Sequence, residues 1–214
     1  MNSGYERAVD GFLGQIGRGI FRSSILNRIW MAFMAYCMCI VAEAFKVRGY
    51  KVTPQNCQQG FIFKLFPAGD PDNYSYFTVK KENEEYEIRL NIYAQNLRFN
   101  SLRLNVDIAV VRTGSINDGI VNSEADLLTF AECKNLRGFP ELVATIEGMA
   151  YELQRKRLYN PNYYRIPSCL LLSGSARSIQ YMNKYYMRKG ISIRIFDLLQ
   201  PGSPSVQDFI QSWF

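Results

Sequence analysis

Three charged residues stand where charge is costly. Asp107 interrupts the apolar run Leu104–Arg112 (LNVDIAVVR), and Glu132 and Lys134 interrupt the end of Ala125–Asn135 (ADLLTFAECKN). A charge inside a buried strand must be paired or bind a metal. Side chains alternate along a strand, so Glu132 and Lys134 share one face and Cys133 takes the other. If the two runs pair, Asp107 reaches that face as well, and two carboxylates converge with one ammonium. Phosphodiester hydrolysis needs such a set. Asp107 and Glu132 are hard oxygen ligands for Mg²⁺, the metal polarises phosphate and acidifies a water, and Lys134 orients that water or stabilises charge at phosphorus. The competing reading of the same residues is a buried ion pair with no chemistry.

The rest of the composition narrows the field. The chain has 214 residues and no histidine. That excludes imidazole-assisted serine or cysteine nucleophiles, histidine zinc sites and nucleases with an imidazole base. Cys37, Cys39, Cys57, Cys133 and Cys169 form no CxxC pair, so reduced and mostly buried thiols in a cytoplasmic protein are expected. The net charge is +6, but residues 61–135 carry 11 acidic and 8 basic groups between basic flanks. A basic molecule with an acidic centre suits a polyanion held around a cation site, and ordinary solvated surface charge would look the same.

The elements that must position these residues follow from pattern. Residues 1–22 are glycine-rich and read as an irregular or weakly helical N-terminal extension; residues 23–214 read as a single domain. A helix is expected from Ser23 or Ser24 to Arg48, stopped by Gly49. Within it, Ile29–Ala42 has no charge. It is shorter than the about 20 residues a membrane span needs, so a buried core helix is expected and no membrane partner, although Ala42-Glu43-Ala44 also resembles a signal-peptide cleavage site. Strands are expected at Phe61–Phe66, Tyr74–Lys80 and Tyr86–Ala94, with a turn at Lys81–Glu85. Leu104–Arg112 and Ala125–Asn135 read as an antiparallel pair joined by the polar loop Thr113–Glu124. Pro140 opens a helix with an apolar face at Leu142, Ile146, Met149 and Leu153. Ser168–Ser173 reads as a buried strand, Ala176–Lys189 as a helix ended by Gly190, and Ile191–Leu198 as a last strand. This order predicts an α/β fold, a three-layer sandwich with a central mixed β-sheet flanked by helices.

Asp107, a 24-residue gap and Glu132-x-Lys134, on that order of elements from about Trp30 to Ser173, resemble the PD-(D/E)xK nuclease superfamily. The resemblance implies a restriction-endonuclease-like fold and a Mg²⁺-dependent nuclease, with Mn²⁺ able to substitute. It implies catalytic Asp107, Glu132 and Lys134, with Glu43 in the first helix as a further catalytic and metal-holding acid beside Asp107 and Glu132. Val106 stands where many members have proline. Glu147 and Tyr151 occupy the spacing of a Gln-x-x-x-Tyr pair, with glutamate in place of glutamine. The implied activity is endonucleolytic, on DNA rather than RNA, as the cleavage subunit of a restriction, phage-defence, transposition or repair system. A homodimer, or a partner protein supplying specificity, fits that role. The alternative is a catalytically silent nucleic-acid-binding or assembly subunit with the same fold.

Two basic stretches are candidate nucleic-acid contacts. Arg155, Lys156, Arg157, Tyr159, Tyr163, Tyr164 and Arg165 crowd the end of the second large helix and the loop after it. Arg177, Tyr181, Lys184 and Arg188 recur at helical spacing on one face. Cations neutralise phosphates and tyrosines stack or hydrogen-bond. A solvated helix face and a tyrosine-rich loop packed on the core are the plain readings of the same residues.

Overall fold

The computed structural model describes residues 4–17, 28–99, 101–158 and 166–214, with only the backbone at Arg157. Helix α1 (Gly4–Ile16) buries Tyr5, Val9 and Leu13, a stripe at i, i+4 and i+8. Its glycines Gly11 and Gly14 face open space. The N-terminal segment is therefore a packed helix rather than an irregular one. Helix α2 (Ile29–Val47) is apolar around most of its circumference and buries nearly all of it, as a core helix must. It is long and apolar enough to cross a membrane by length and composition, but 78% of its apolar window is buried inside the fold. The expected helix start at Ser23 or Ser24 lies outside the described residues.

Strands β1 (Lys51–Gln55), β2 (Tyr76–Lys81), β3 (Glu84–Gln95) and β4 (Arg103–Arg112) form an antiparallel meander. Two short strands follow, β5 (Ile116–Asn117) and β6 (Ile120–Val121), inside the stretch expected to be loop. Strand β7 (Leu127–Lys134) pairs antiparallel with β4, and β8 (Ser168–Leu172) and β9 (Ile193–Phe196) add parallel to it. The result is a nine-stranded mixed sheet in the order β1-β2-β3-β4-β7-β8-β9, with β6 pairing β3. Between the strands lie α3 (Pro140–Leu153), the short α4 (Arg155–Leu158) and α5 (Ile179–Lys189), and α6 (Pro204–Ser212) follows β9. Gly190 caps α5 in the left-handed conformation, φ 65°, which glycine adopts without strain.

Helices cover both faces of this α/β sheet. On one, α1, α2 and α6 pack against Ile88, Leu90, Ile108, Ala131, Cys133 and Leu171. On the other, α3, α4 and α5 pack against Ala109, Val111, Phe130, Leu170 and Leu172. Strand β8 is buried throughout, as expected of a parallel strand covered on both sides. Pro54 is tolerated because β1 is an edge strand. The expected strand at Phe61–Phe66 does not join the sheet. Ser75 serves its backbone instead: the hydroxyl accepts the Ile62 N–H at 2.9 Å and the Ser75 N–H donates to the Ile62 carbonyl at 2.8 Å.

The β3–β4 hairpin changes sides partway along. Leu90 and Ile108 pack under α2, whereas the next partners outward, Ile92 and Val106, pack with the α3 layer. Between them Asn91 adopts the left-handed conformation, φ 49°, which asparagine tolerates better than most residues. The hairpin thus bends at Asn91 and Asp107, and its tip is tied to α3 where the Leu97 N–H donates to the Glu152 carbonyl at 3.0 Å.

Candidate active site

Strands β4 and β7 stay laddered from Val111–Leu127 to Ile108–Ala131. The next facing residues are Asp107 and Glu132, and here carboxylates replace carbonyls as acceptors. The Asp107 N–H donates to Glu132 Oε1 at 3.2 Å, and the Cys133 N–H donates to Asp107 Oδ2 at 2.8 Å. Two buried carboxylates are therefore fixed by the backbone of the opposite strand. Lys134 completes the cluster, with Nζ 2.9 Å from both Asp107 Oδ2 and Glu132 Oε2. Its side chain is 29% exposed, against 12% for Asp107 and 8% for Glu132, so the cluster opens to solvent on the lysine side.

Burial, reinforced by the neighbouring Asp107 charge, pushes the Glu132 carboxyl up to about 7, while Lys134 and the Asp107 N–H pull it back only in part. Burial works against the Lys134 ammonium too, but the two carboxylates outweigh it and raise its pKa. Lys134 therefore stays an ammonium through neutral pH. It is suited to orienting or stabilising charge, not to taking a proton.

The donor set fits a divalent cation. Asp107 Oδ2 and Glu132 Oε2 converge on one point, and two carboxylates facing one ammonium leave a negative charge uncompensated. Asp107 Oδ1 takes no hydrogen bond among the described residues. Hard, partly free oxygens of this kind suit Mg²⁺, which keeps water and substrate oxygens in its remaining positions. Nearby, Asn105 Oδ1 is buried with no partner among the described residues.

Glu43 does not join them. Its carboxylate pairs with Lys46 at 3.2 Å on the outside of α2. The α2 residue that reaches the bend is Met34, whose sulfur lies 3.4 Å from Asn91 Nδ2; Glu43 is nine residues further along, about 13 Å of helix. Among the described residues no three acidic, cysteine or histidine side chains are grouped to hold a metal. Glu147 and Tyr151 serve other contacts. The Tyr186 hydroxyl of α5 donates to Glu147 Oε1, and the Tyr151 ring lies 5.0 Å from the Arg155 guanidinium and 5.7 Å from that of Arg98.

Of the basic candidates, Arg155 and Lys156 are exposed on α4, and the Lys156 backbone N–H is held by Glu124. The Arg157 side chain and Tyr159, Tyr163, Tyr164 and Arg165 lie outside the described residues. Tyr181, Lys184 and Arg188 are exposed on α5, but Arg177 precedes the helix. Ser178, left-handed at φ 67°, turns the chain there, so Arg177 departs from the helical face.

Lys64 and Asn91 also bear on the site. The buried Lys64 donates to the carbonyls of Phe66, Pro67 and Asn91 at 3.0, 2.6 and 2.9 Å, and burial lowers its pKa to about 8. The Asn91 amide donates to the Lys64 carbonyl at 2.6 Å and accepts from Asn105 at 3.2 Å. This network holds the bend that presents Asp107. Lys64 interrupts the apolar run FIFKLF much as Asp107 interrupts its own, so the same signal marks it in the sequence. The five cysteines are free, and burial raises the thiols of Cys39, Cys133 and Cys169, which removes them as nucleophiles.

No protein-family model matches the chain, and neither does any curated protein or solved structure.

Proposed function

We propose that the protein is a metal-dependent nuclease of the PD-(D/E)xK, restriction-endonuclease-like kind, hydrolysing phosphodiester bonds and acting on DNA as an endonuclease. The observation that carries this reading is the convergence of Asp107, Glu132 and Lys134 at the point where β4 and β7 part. Asp107 and Glu132 would hold Mg²⁺, whose chemistry is to polarise the phosphate and acidify a water. The backbone N–H groups of Asp107 and Cys133 orient the two carboxylates. Lys134 carries a permanent proton at Nζ, which positions the attacking water and stabilises the charge that grows on the phosphoryl oxygens.

A second reading, a silent nucleic-acid-binding or assembly subunit, is favoured by one observation: Lys134 is already paired with both carboxylates. A cleavage assay separates the two. Linear, circular and single-stranded DNA are incubated with Mg²⁺, Mn²⁺ or EDTA, with Asp107→Ala, Glu132→Ala and Lys134→Ala as controls. Metal-dependent cleavage lost in all three variants supports the nuclease. Binding in EDTA with no cleavage under any metal supports the silent subunit, and full activity in all three variants refutes the assignment of these residues.

A further inference from the structure

We propose that the pocket beside Lys134 receives the base of an unpaired nucleotide next to the scissile phosphate, so that the substrate is single-stranded or locally unpaired DNA. This rests on the nuclease reading and goes beyond it. Lys134 faces Leu172 in the β7–β8 register, so the two side chains are neighbours on one face of the sheet. Leu172 forms part of the floor of a pocket of about 450 Å³, together with Val143, Met182 and Ile195. Arg137, Phe139 and Arg177 stand at its rim.

The rim is fixed relative to the catalytic lysine. The Leu136 N–H donates to the Lys134 carbonyl at 2.8 Å, and the Gly174 and Gly138 N–H groups donate to Leu136 and Ser175 at 3.1 and 3.2 Å. Gly138 lies so close to the facing loop that a Cβ would come within 2.5 Å of Ala176 Cβ and 2.8 Å of Leu172 Cδ1. Phe139 is 45% exposed. Neither Arg137 nor Arg177 has an ion-pair partner among the described residues, although the chain pairs other arginines with acids.

An apolar floor, an exposed ring and two uncompensated guanidiniums select the occupant. A nucleobase is flat, apolar on its faces and attached to a sugar that carries a phosphate on each side. The ring stacks on the base, and the guanidiniums meet the phosphates. A base held in a duplex cannot enter such a pocket.

The test is binding in EDTA, which needs no cleavage, of a single-stranded oligonucleotide carrying one fluorescent adenine analogue, and of the same sequence as a perfect duplex. The expected result is quenching of the single strand on binding, weaker binding of the duplex, and a loss of roughly tenfold in single-strand affinity for Phe139→Ala and for Arg177→Ala. Phe139→Trp should retain the affinity, and unchanged melting of each variant shows that the fold is intact. Single-strand binding unaffected by Phe139→Ala and Arg177→Ala overturns the proposal. So does equal binding of duplex and single strand without quenching, or self-association of the native chain that Phe139→Ala abolishes. Failure of cleavage with any metal would sink the catalytic reading while leaving these binding results to decide the pocket.

Discussion

Replacing Glu132 by glutamine should make the protein more stable at alkaline pH and, on the nuclease reading, abolish cleavage. Glu132 is raised from 4.5 to about 7 in the folded chain. The folded state therefore binds more protons than the unfolded state between those values, and stability falls as pH rises through that window. Below about 4.5 the carboxyl is protonated in both states and contributes nothing; above about 7 the full cost of a buried carboxylate is present. At about 1.4 kcal/mol per pH unit, the ionised group costs roughly 3 kcal/mol. Glutamine keeps the Oε1 acceptor for the Asp107 N–H and gives up the charge-assisted bond to Lys134, which retains Asp107. The advantage of Glu132→Gln over the native chain should therefore grow by roughly 2 kcal/mol between about pH 5 and about pH 8. Denaturant unfolding in EDTA across that range measures it. A difference that stays flat with pH would refute the claim that burial and Asp107 burden this carboxylate. Adding Mg²⁺ to the same titration should stabilise the native chain and not the variant, because only the native chain keeps both oxygen ligands.

Other consequences can be checked with the same unfolding assay. Gly138→Ala puts a methyl group into the contact with Ala176 and Leu172 and should cost about 1–3 kcal/mol, with disturbed cleavage because the rim beside Lys134 shifts. Lys64→Met leaves three carbonyls without their donor; a loss of about 3 kcal/mol is expected, and a variant as stable as the native chain would show that the bend needs no lysine. Phe130→Ala empties a fully buried site between the sheet and α3 and should cost about 3–5 kcal/mol.

The charged cluster was readable because Asp107, Glu132 and Lys134 violate the apolar pattern of their strands, and strands β4, β7 and β8 and helix α3 were readable from the same pattern. What could not be read depends on distant partners. Helix α1 hides a three-residue stripe among glycines that favour other conformations. Phe61, Phe63 and Leu65 alternate as a strand would, but Ser75 takes the backbone bonds a neighbour strand would have made. Helix α6 docks through Arg48, which donates to the carbonyls of Ala44 and Ile210 at 3.0 and 2.7 Å, a contact between residues 162 apart. Glu43 and Glu147 sit at family-like spacings, yet local geometry gives them to Lys46 and Tyr186.

Cys133 lies between Glu132 and Lys134 in the chain and on the opposite side of β7, inside the core beneath α2. A slip of one residue in the pairing of β7 would send both charges into that apolar layer and turn the thiol outward. Such a molecule would bury the Glu132–Lys134 pair in an apolar layer and leave Asp107 without its ammonium, so it could not compete with the native fold. The charges proposed to serve hydrolysis therefore also act as a check on assembly, because a misregistered β7 is disfavoured by the same residues.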